Sequence, residues 1–431
     1  MKTLLLLSLS SVFFFTVTIR AETKVDATVG IQFKKLSIES SPTWSGESAT
    51  MIIQPNLKSR FSSRHSLRMS PSFRIDSLTK EETEKYQLTW NDTYFDLKSA
   101  KASLRFGFQN IVWEGTDFSN PLDLIMQKNL ADPLEGSPLS SPGFGYLYET
   151  GPLQFDFYFI PEMIPTHLPG AKNPWWPRSK RLFLETEKYS LVVPKSLEYE
   201  ISPAVEINHA RSNNWGGRLQ FKSETLDMSI ALFSGLSNAP YIDLDLLQTT
   251  LVLINPNVLL VTSPVKLRPL YFRSQSVGAL FVIPFKGNLF KVGGNSIQPQ
   301  QDHPSVPGSS TSQVLGWEKN FDLRRGPLTS IIQYHQSQTP QNGQLANFQS
   351  IFTRAATAGI RMPLSEDTNV VIGFIYDLIG YSSLSKAELT TRVTEGYEVG
   401  FGATNIHGST ETLLGIYDSY DSFMLRLTGY F

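Results

Sequence analysis

The chain has 431 residues, with 38 Lys or Arg against 39 Asp or Glu, for a net charge of -1. No global field favours a polyanion, so nucleic acid is not expected as a partner. Cysteine is absent, which excludes a disulfide-stapled scaffold and thiolate metal sites. Aromatic residues make up 12% of the chain and charged residues only 18%, below the roughly 25% charged of a typical soluble domain.

The chain begins MKTLLLLSLSSVFFFTVTIRA, with a positive charge at Lys2, an uncharged run from Leu4 to Ile19, and a small residue, Ala21, at a cleavage point. This reads as a signal peptide over residues 1–21, which leaves residues 22–431 as an exported mature chain. A membrane anchor is the rival reading, but the run is barely long enough to span and no stop-transfer charge cluster follows it.

Beyond it the hydrophobic period is two almost throughout. In VDATVGIQFKK, Val25, Ala27, Val29, Ile31 and Phe33 alternate with Asp26, Thr28, Gly30, Gln32 and Lys34. YQLTWNDTYFDL, Tyr86 to Leu97, repeats the pattern more weakly, and LEYEISPAVEIN, Leu197 to Asn208, repeats it clearly. Further strand-like stretches fall near residues 48–58, 64–75, 101–112, 143–160, 215–234, 247–275, 276–294, 312–337, 349–363, 367–378, 383–406 and 411–431. Asn213-Asn214 and Lys286-Gly287-Asn288 read as turns, and LLQTTLVLINPNVLLVTSPV as two strands joined at Asn255-Pro256-Asn257.

Two stretches break the pattern, and long loops in compact proteins are usually functional. Residues 112–143 crowd acids together, among them Glu114, Asp117, Asp123, Asp132 and Glu135. Residues 161–195 are rich in proline and carry Trp175-Trp176 followed by Arg178, Lys180 and Arg181. If both fold inward, Glu114, Asp117 and Asp123 form an acidic side of a constriction and Arg178, Lys180 and Arg181 a basic side. The bland alternative is a solvated acidic loop, with the tryptophans in an interfacial aromatic belt.

Catalytic chemistry finds little support. The six histidines are scattered singly, and no His-Glu-x-x-His, Gly-x-Ser-x-Gly or phosphate loop occurs. A Ser, His and acid set could assemble from separate strands, as His209 near Glu206 illustrates, but a chain this long offers such sets by chance. No enzyme activity, cofactor or metal is expected. HPSVPGSSTSQ, residues 303–313, reads as an external loop, and Arg324-Arg325 as a pair at a strand end.

The chain closes on SFMLRLTGYF, an alternating segment running to an aromatic last residue. One wet and one apolar face, repeated along an exported chain, has two solutions: a soluble sandwich or β-helix with the apolar face inward, or an outer-membrane barrel with it facing lipid. A barrel must pair its last strand with its first, because an unpaired edge in lipid strands its N–H and C=O groups. The expected fold is all-β, a transmembrane antiparallel β-barrel of about 18 strands, range 16–20.

The last segment resembles the assembly signal of Gram-negative outer-membrane proteins, matched by Leu425, Leu427 and Phe431, with Gly429 departing from the pattern and the aromatic displaced to Tyr430. The run LRFGFQNIVWEG…NPLDL…YLYETGPLQFDFYFIPEMIPTHLP is similar to a family of uncharacterised proteobacterial outer-membrane porin-like β-barrels, related in style to alginate-export porins. Gly107, Gln109, Trp113, Glu114, Asn120, Pro121, Asp123, Ile160, Pro161, Pro165 and Pro169 occupy matching positions, while Phe108 replaces the family's arginine and Glu114-Gly115 reverses its usual order. The resemblance covers roughly residues 101–170 and implies a large barrel with a passive or facilitated transport role, without naming a solute. The expected partners are outer-membrane lipid, the barrel assembly machinery and a small-molecule solute. The functional alternatives are a non-conducting barrel, as adhesin or scaffold, and a barrel-embedded hydrolase.

Overall fold

The computed structural model describes residues 22–38, 45–78, 82–113, 115–170, 172–175, 184–185, 190–192, 199–244, 250–300, 306, 308–323, 326–338, 352–409, 412, 414–418 and 420–431. The expected signal at residues 1–21 lies outside the described residues, as do Glu114, Trp176, Arg178, Lys180, Arg181, Arg324 and Arg325.

Eighteen strands form one sheet. They are β1 (Glu22–Leu36), β2 (Glu47–Arg60), β3 (His65–Asp76), β4 (Tyr86–Lys98), β5 (Ala102–Gln109), β6 (Ser141–Thr150), β7 (Leu153–Glu162), β8 (Ser212–Lys222) and β9 (Asp227–Leu236), followed by β10 (Arg273–Phe285), β11 (Asn288–Pro299), β12 (Ser310–Leu323), β13 (Gly326–Gln338), β14 (Arg354–Pro363), β15 (Thr368–Asp377), β16 (Ser383–Thr394), β17 (Tyr397–His407) and β18 (Ser422–Tyr430). Each pairs antiparallel with its neighbours in sequence. The sheet then closes on itself, with Thr28 opposite Tyr430 and Leu36 opposite Ser422. Phe431 N–H donates to Ala27 O at 2.9 Å and Ala27 N–H to Phe431 O at 3.0 Å, so the last residue completes the seam. Closure leaves the barrel sheet no free edge, which is what a hydrocarbon surround requires.

The period of two sorts the side chains into two environments. Ile31, Phe33, Leu88, Trp90, Phe106, Leu232, Phe281, Leu315, Ile332, Phe374, Phe401 and Leu427 are large, apolar and exposed on the outer wall. On β1 the intervening Gln32, Lys34 and Leu36 are buried on the inner side. A sandwich would bury the first set between layers, and here that set is on the outside.

The two ends of the barrel differ. Short turns such as Gly151-Pro152, Ser223–Leu226 and Lys286-Gly287 lie at one end, together with the start of β1 and the end of β18. Lys286 and Gly287 have φ of 47° and 75°, the paired positive values of a tight hairpin turn. Long connections lie at the other end, the arrangement of outer-membrane barrels, with short turns periplasmic and long loops extracellular.

Several expectations need correction. Among the described residues of Leu197 to Asn208, the strands are Tyr199–Ile201 and Val205–Glu206, short pieces pairing with Val265–Tyr271 outside the barrel wall. Pro203 breaks its run, and a proline cannot donate to a ladder. The Asn-Pro-Asn hairpin forms as Leu251–Asn255 and Val258–Val261, but also within a small loop sheet. Asn213-Asn214 is no turn between strands; it opens β8, with Asn213 at φ 54°. Among the described residues of the last stretch, Ser422–Tyr430 is strand and Gly415–Tyr417 a 3-10 turn.

Candidate functional site

The connection from β5 to β6 turns into the barrel. Asn120 shapes its first bend: its amide donates to Trp113 O at 2.7 Å, and its Oδ1 accepts from Leu122 N–H at 3.0 Å. Asp123 N–H donates to Asn120 O at 3.1 Å, closing the Asn-Pro-x-Asp turn. Leu122, Leu124, Ile125 and Met126 are then buried against the inner wall, in one cluster with Tyr158, Ala231, Phe233 and Leu280. A small hairpin follows, Gln127–Asn129 with Ser137–Leu139, enclosing a 3-10 turn at Pro133–Glu135. Asp132 caps that turn, its Oδ1 accepting from Leu134 N–H at 3.0 Å.

Charge fixes the segment to the wall. Lys34 on β1 donates to Asp132 and, at 3.2 Å, to Glu135, while Gln32 donates to Glu135 at 2.7 Å. Arg74 on β3 adds a guanidinium 3.9 Å from Glu135. Burial raises the Asp132 carboxyl above its usual range, with Lys34 pulling it back. Burial also opposes ionisation of Glu135, but Lys34 and Arg74 outweigh it and hold that carboxyl below the usual range. On the opposite side Asp117 sits 3.5 Å from Lys291 and 3.8 Å from Arg361, and accepts from Gln333 at 3.3 Å.

The described start of the second irregular stretch, as far as Trp175, also packs inward. His167 exchanges backbone hydrogen bonds with Lys128 and Leu130 of the first segment. Asn173 donates to Glu84 at 2.7 Å. Trp175 is 1% exposed, and Tyr417 and Tyr420 of the last long loop donate to Trp175 O and Pro174 O at 2.9 and 2.8 Å. Burial pushes the Tyr417 phenol up, so it serves as a neutral donor. Lys34 Nζ lies 5.7 Å from the Trp175 ring centre, which joins both infolded segments to one lysine. An interfacial-belt role for Trp175 is thereby overturned: its ring is covered by protein on the inner side. Between these segments and the wall lies a cavity of about 800 Å³, lined by Phe118, Leu168, Trp175, Asn295, Ser312 and Tyr417 among others.

Of the expected constriction, only Asp117 and Asp123 lie among the described residues. Asp117 meets Lys291 and Arg361 from the wall, and Asp123 meets Lys128 of its own segment at 2.7 Å. Glu114, Arg178, Lys180 and Arg181 lie outside the described residues. Inward cations such as Lys34, Arg74, Lys291 and Arg361 look in the sequence like any other polar position of an alternating strand. Their one local mark is a place on the wet face of the strand.

The inner wall of β14–β18 is different again. Arg361, Lys386 and Arg426 have side chains 59%, 42% and 37% exposed, with Glu388 within 3.7 Å of Lys386 and 3.4 Å of Arg426. Phe108, where the resembling family carries arginine, stacks on the exposed Trp90 at 6.1 Å and so faces outward, away from the lumen. Ser62 Oγ is 2.8 Å from His65 Nδ1, but it also accepts from Arg64 and His65 N–H and caps the β2–β3 turn. Among the described residues no group of three His, Cys, Asp or Glu side chains is placed to hold a metal ion.

No family model and no curated protein matches this chain. Solved structures do. The outer-membrane protein opdK of Pseudomonas aeruginosa is 9% identical, over 95% of this chain and 98% of that one, with a TM-score of 0.54. OccAB3 of Acinetobacter baumannii is likewise 9% identical, over 95% and 99%, at 0.54. A BenF-like porin from Pseudomonas fluorescens is 7% identical, over 95% and 98%, at 0.53. The chain thus shares the fold of these outer-membrane proteins, a closed antiparallel β-barrel, here of 18 strands.

Proposed function

We propose that the protein is a porin-like channel that passes small solutes across the outer membrane through a lumen narrowed by residues 110–140. The observation that carries this reading is a segment pinned across the barrel interior by Lys34 and Arg74 on one side and by Lys291 and Arg361 on the other, beside a wall of exposed inward charge. On that wall Arg361, Lys386, Arg392 and Arg426 stand against Glu388, Glu398 and Asp377, a slight excess of cations that favours small anions. Another similar structure, OccK2 (OpdF) of Pseudomonas aeruginosa, is a complex with glucuronate, which makes a small carboxylate a suitable probe. The finer likeness to alginate-export porins rests on motif residues that here have structural roles, such as Asn120 in its turn, so they do not point to a cargo.

The outward apolar wall supports outer-membrane lipid as the surrounding partner, and the terminal strand with Leu425, Leu427, Tyr430 and Phe431 fits delivery to the barrel assembly machinery after cleavage at Ala21. Liposome swelling with glucuronate and with a neutral sugar of similar size tests the reading. Entry of both, faster for the anion, is expected; exclusion of both would favour the non-conducting scaffold.

A further inference from the structure

Two sets of inward-facing glycines contrast. On the β8, β10 and β11 side they are filled by the infolded segment. A β-carbon on Gly278 would overlap the Pro121 carbonyl oxygen, one on Gly293 would lie 2.9 Å from Pro121 Cγ, and one on Gly216 would lie 2.7 Å from Ile125 Cδ1. None of these contacts leaves space for a side chain. The neighbouring inward residues are sealed as well: Ala231 is 0% exposed and Leu280 3%.

The second group faces open space. A β-carbon on Gly373 of β15 or on Gly30 of β1 would meet nothing within 4 Å, and one on Gly359 of β14 would meet only a backbone oxygen at 3.5 Å. Gly359 lies opposite Gly373, and Gly373 opposite Lys386, so this bare strip runs beside the exposed cations. From this asymmetry, and resting on the channel reading above, we infer that the solute path is eccentric. It runs between the infolded segment and the inner face of β14–β17. Gly278 and Gly293 are its positioning residues: their missing side chains form the seat that holds Pro121 against the far wall and keeps the near side clear.

The lack of cysteine makes the test clean, since any thiol introduced is the only one. In the folded, reconstituted barrel, Gly373→Cys should react with a methanethiosulfonate reagent and lose conductance on reaction. Ala231→Cys and Ser276→Cys should stay unlabelled until the barrel is denatured. Adding Gly278→Val to Ala231→Cys should unseat the segment, expose the thiol and change the conductance; if the valine variant fails to fold, judged by the heat-induced shift of folded barrels on gels, Gly278→Ala carries the same comparison. Equal labelling at Gly373→Cys and Ala231→Cys would overturn the eccentric path, and so would a folded Gly278 variant with the buried thiol still protected and the conductance unaltered. Labelling is read by mass without any current. A barrel that labels at Gly373→Cys yet conducts nothing would therefore sink the channel reading while leaving the open strip and its seat in place.

Discussion

Lys34 Nζ, on the first strand of the barrel, stands 3.2 Å from Glu135 Oε1, in a segment 101 residues further along the chain. The same ammonium also meets Asp132, and its side chain is only 4% exposed. One buried cation thus answers two buried carboxylates. Lys34→Met would leave Asp132 without its cation and Glu135 with only Gln32 and the more distant Arg74, and breaking a buried pair this way costs about 3–5 kcal/mol. Denaturant titration of the barrel refolded into vesicles should show that loss, and single-channel records should show a noisier, wider pore. A variant with wild-type stability and steady current would remove Lys34 from its role as anchor.

The same cluster predicts a dependence on pH. An unperturbed glutamate titrates near 4.5, and Glu135 in the fold titrates below that. Its stabilisation is fully present above the unfolded value and is lost as pH falls through the folded one. Asp132 has the opposite sign: its folded value lies above the ordinary 3.8, so ionising it works against the fold, and it takes up the first proton on acidification. Acidification from neutral should therefore leave the pore unchanged while Asp132 protonates, then release the segment once Glu135 does. Current recorded against pH should keep its late transition in Asp132→Asn and lose it in Glu135→Gln; a transition identical in both variants would contradict the assignment.

A second buried pair lies on the neighbouring wall. Arg218 on β8 forks onto Asp156 of β7 at 2.9 and 2.6 Å, with side chains 8% and 2% exposed. Asp156→Ala leaves the guanidinium buried without its partner and should destabilise the barrel by roughly 3–5 kcal/mol. The conservative Asp156→Glu should recover part of this in the same titration. Equal stability of all three proteins would show that the fork contributes nothing.

The orientation of the wall can be tested at Leu232, an outward residue 51% exposed in the middle of β9. Leu232→Arg should cost about 2–4 kcal/mol in a bilayer, because a cation there faces hydrocarbon. Thr357→Arg on the inner side of β14 should cost much less. Reversal of that order in vesicle unfolding titrations would mean that the apolar face is not the lipid face.

Much of the barrel was legible because lipid imposes a rule that every strand must obey. VDATVGIQFKK and SFMLRLTGYF alternate cleanly and pair with each other across the seam, and Lys286-Gly287 carries its turn in its composition. Leu197 to Asn208 alternates as well, yet it lies in the loops, since periodicity reports a two-faced strand and not which sheet that strand joins. The inward course of residues 112–143 could be expected from their length and irregularity, but their partners could not. Which wet-face cation meets Asp132 depends on register between strands far apart in the chain, and nothing local in Lys34 or Lys291 encodes it.

The seam gives a further prediction. Removing Tyr430 and Phe431 deletes both hydrogen bonds between Phe431 and Ala27 along with the apolar end of β18. The fraction of protein reaching the outer membrane in folded form should fall sharply, read as loss of the heat-shifted gel band. An unchanged yield would mean that the terminal residues serve neither closure nor assembly.

The central claim is that the outer wall meets hydrocarbon and the inner wall encloses water. Single-channel recording of the purified protein in a planar bilayer tests it most directly. Discrete conductance steps with anions carrying most of the current, shifted toward cations by Arg361→Glu with Lys386→Glu, are the predicted result; a protein that inserts and gives no steps, or whose ion preference ignores those substitutions, would contradict it.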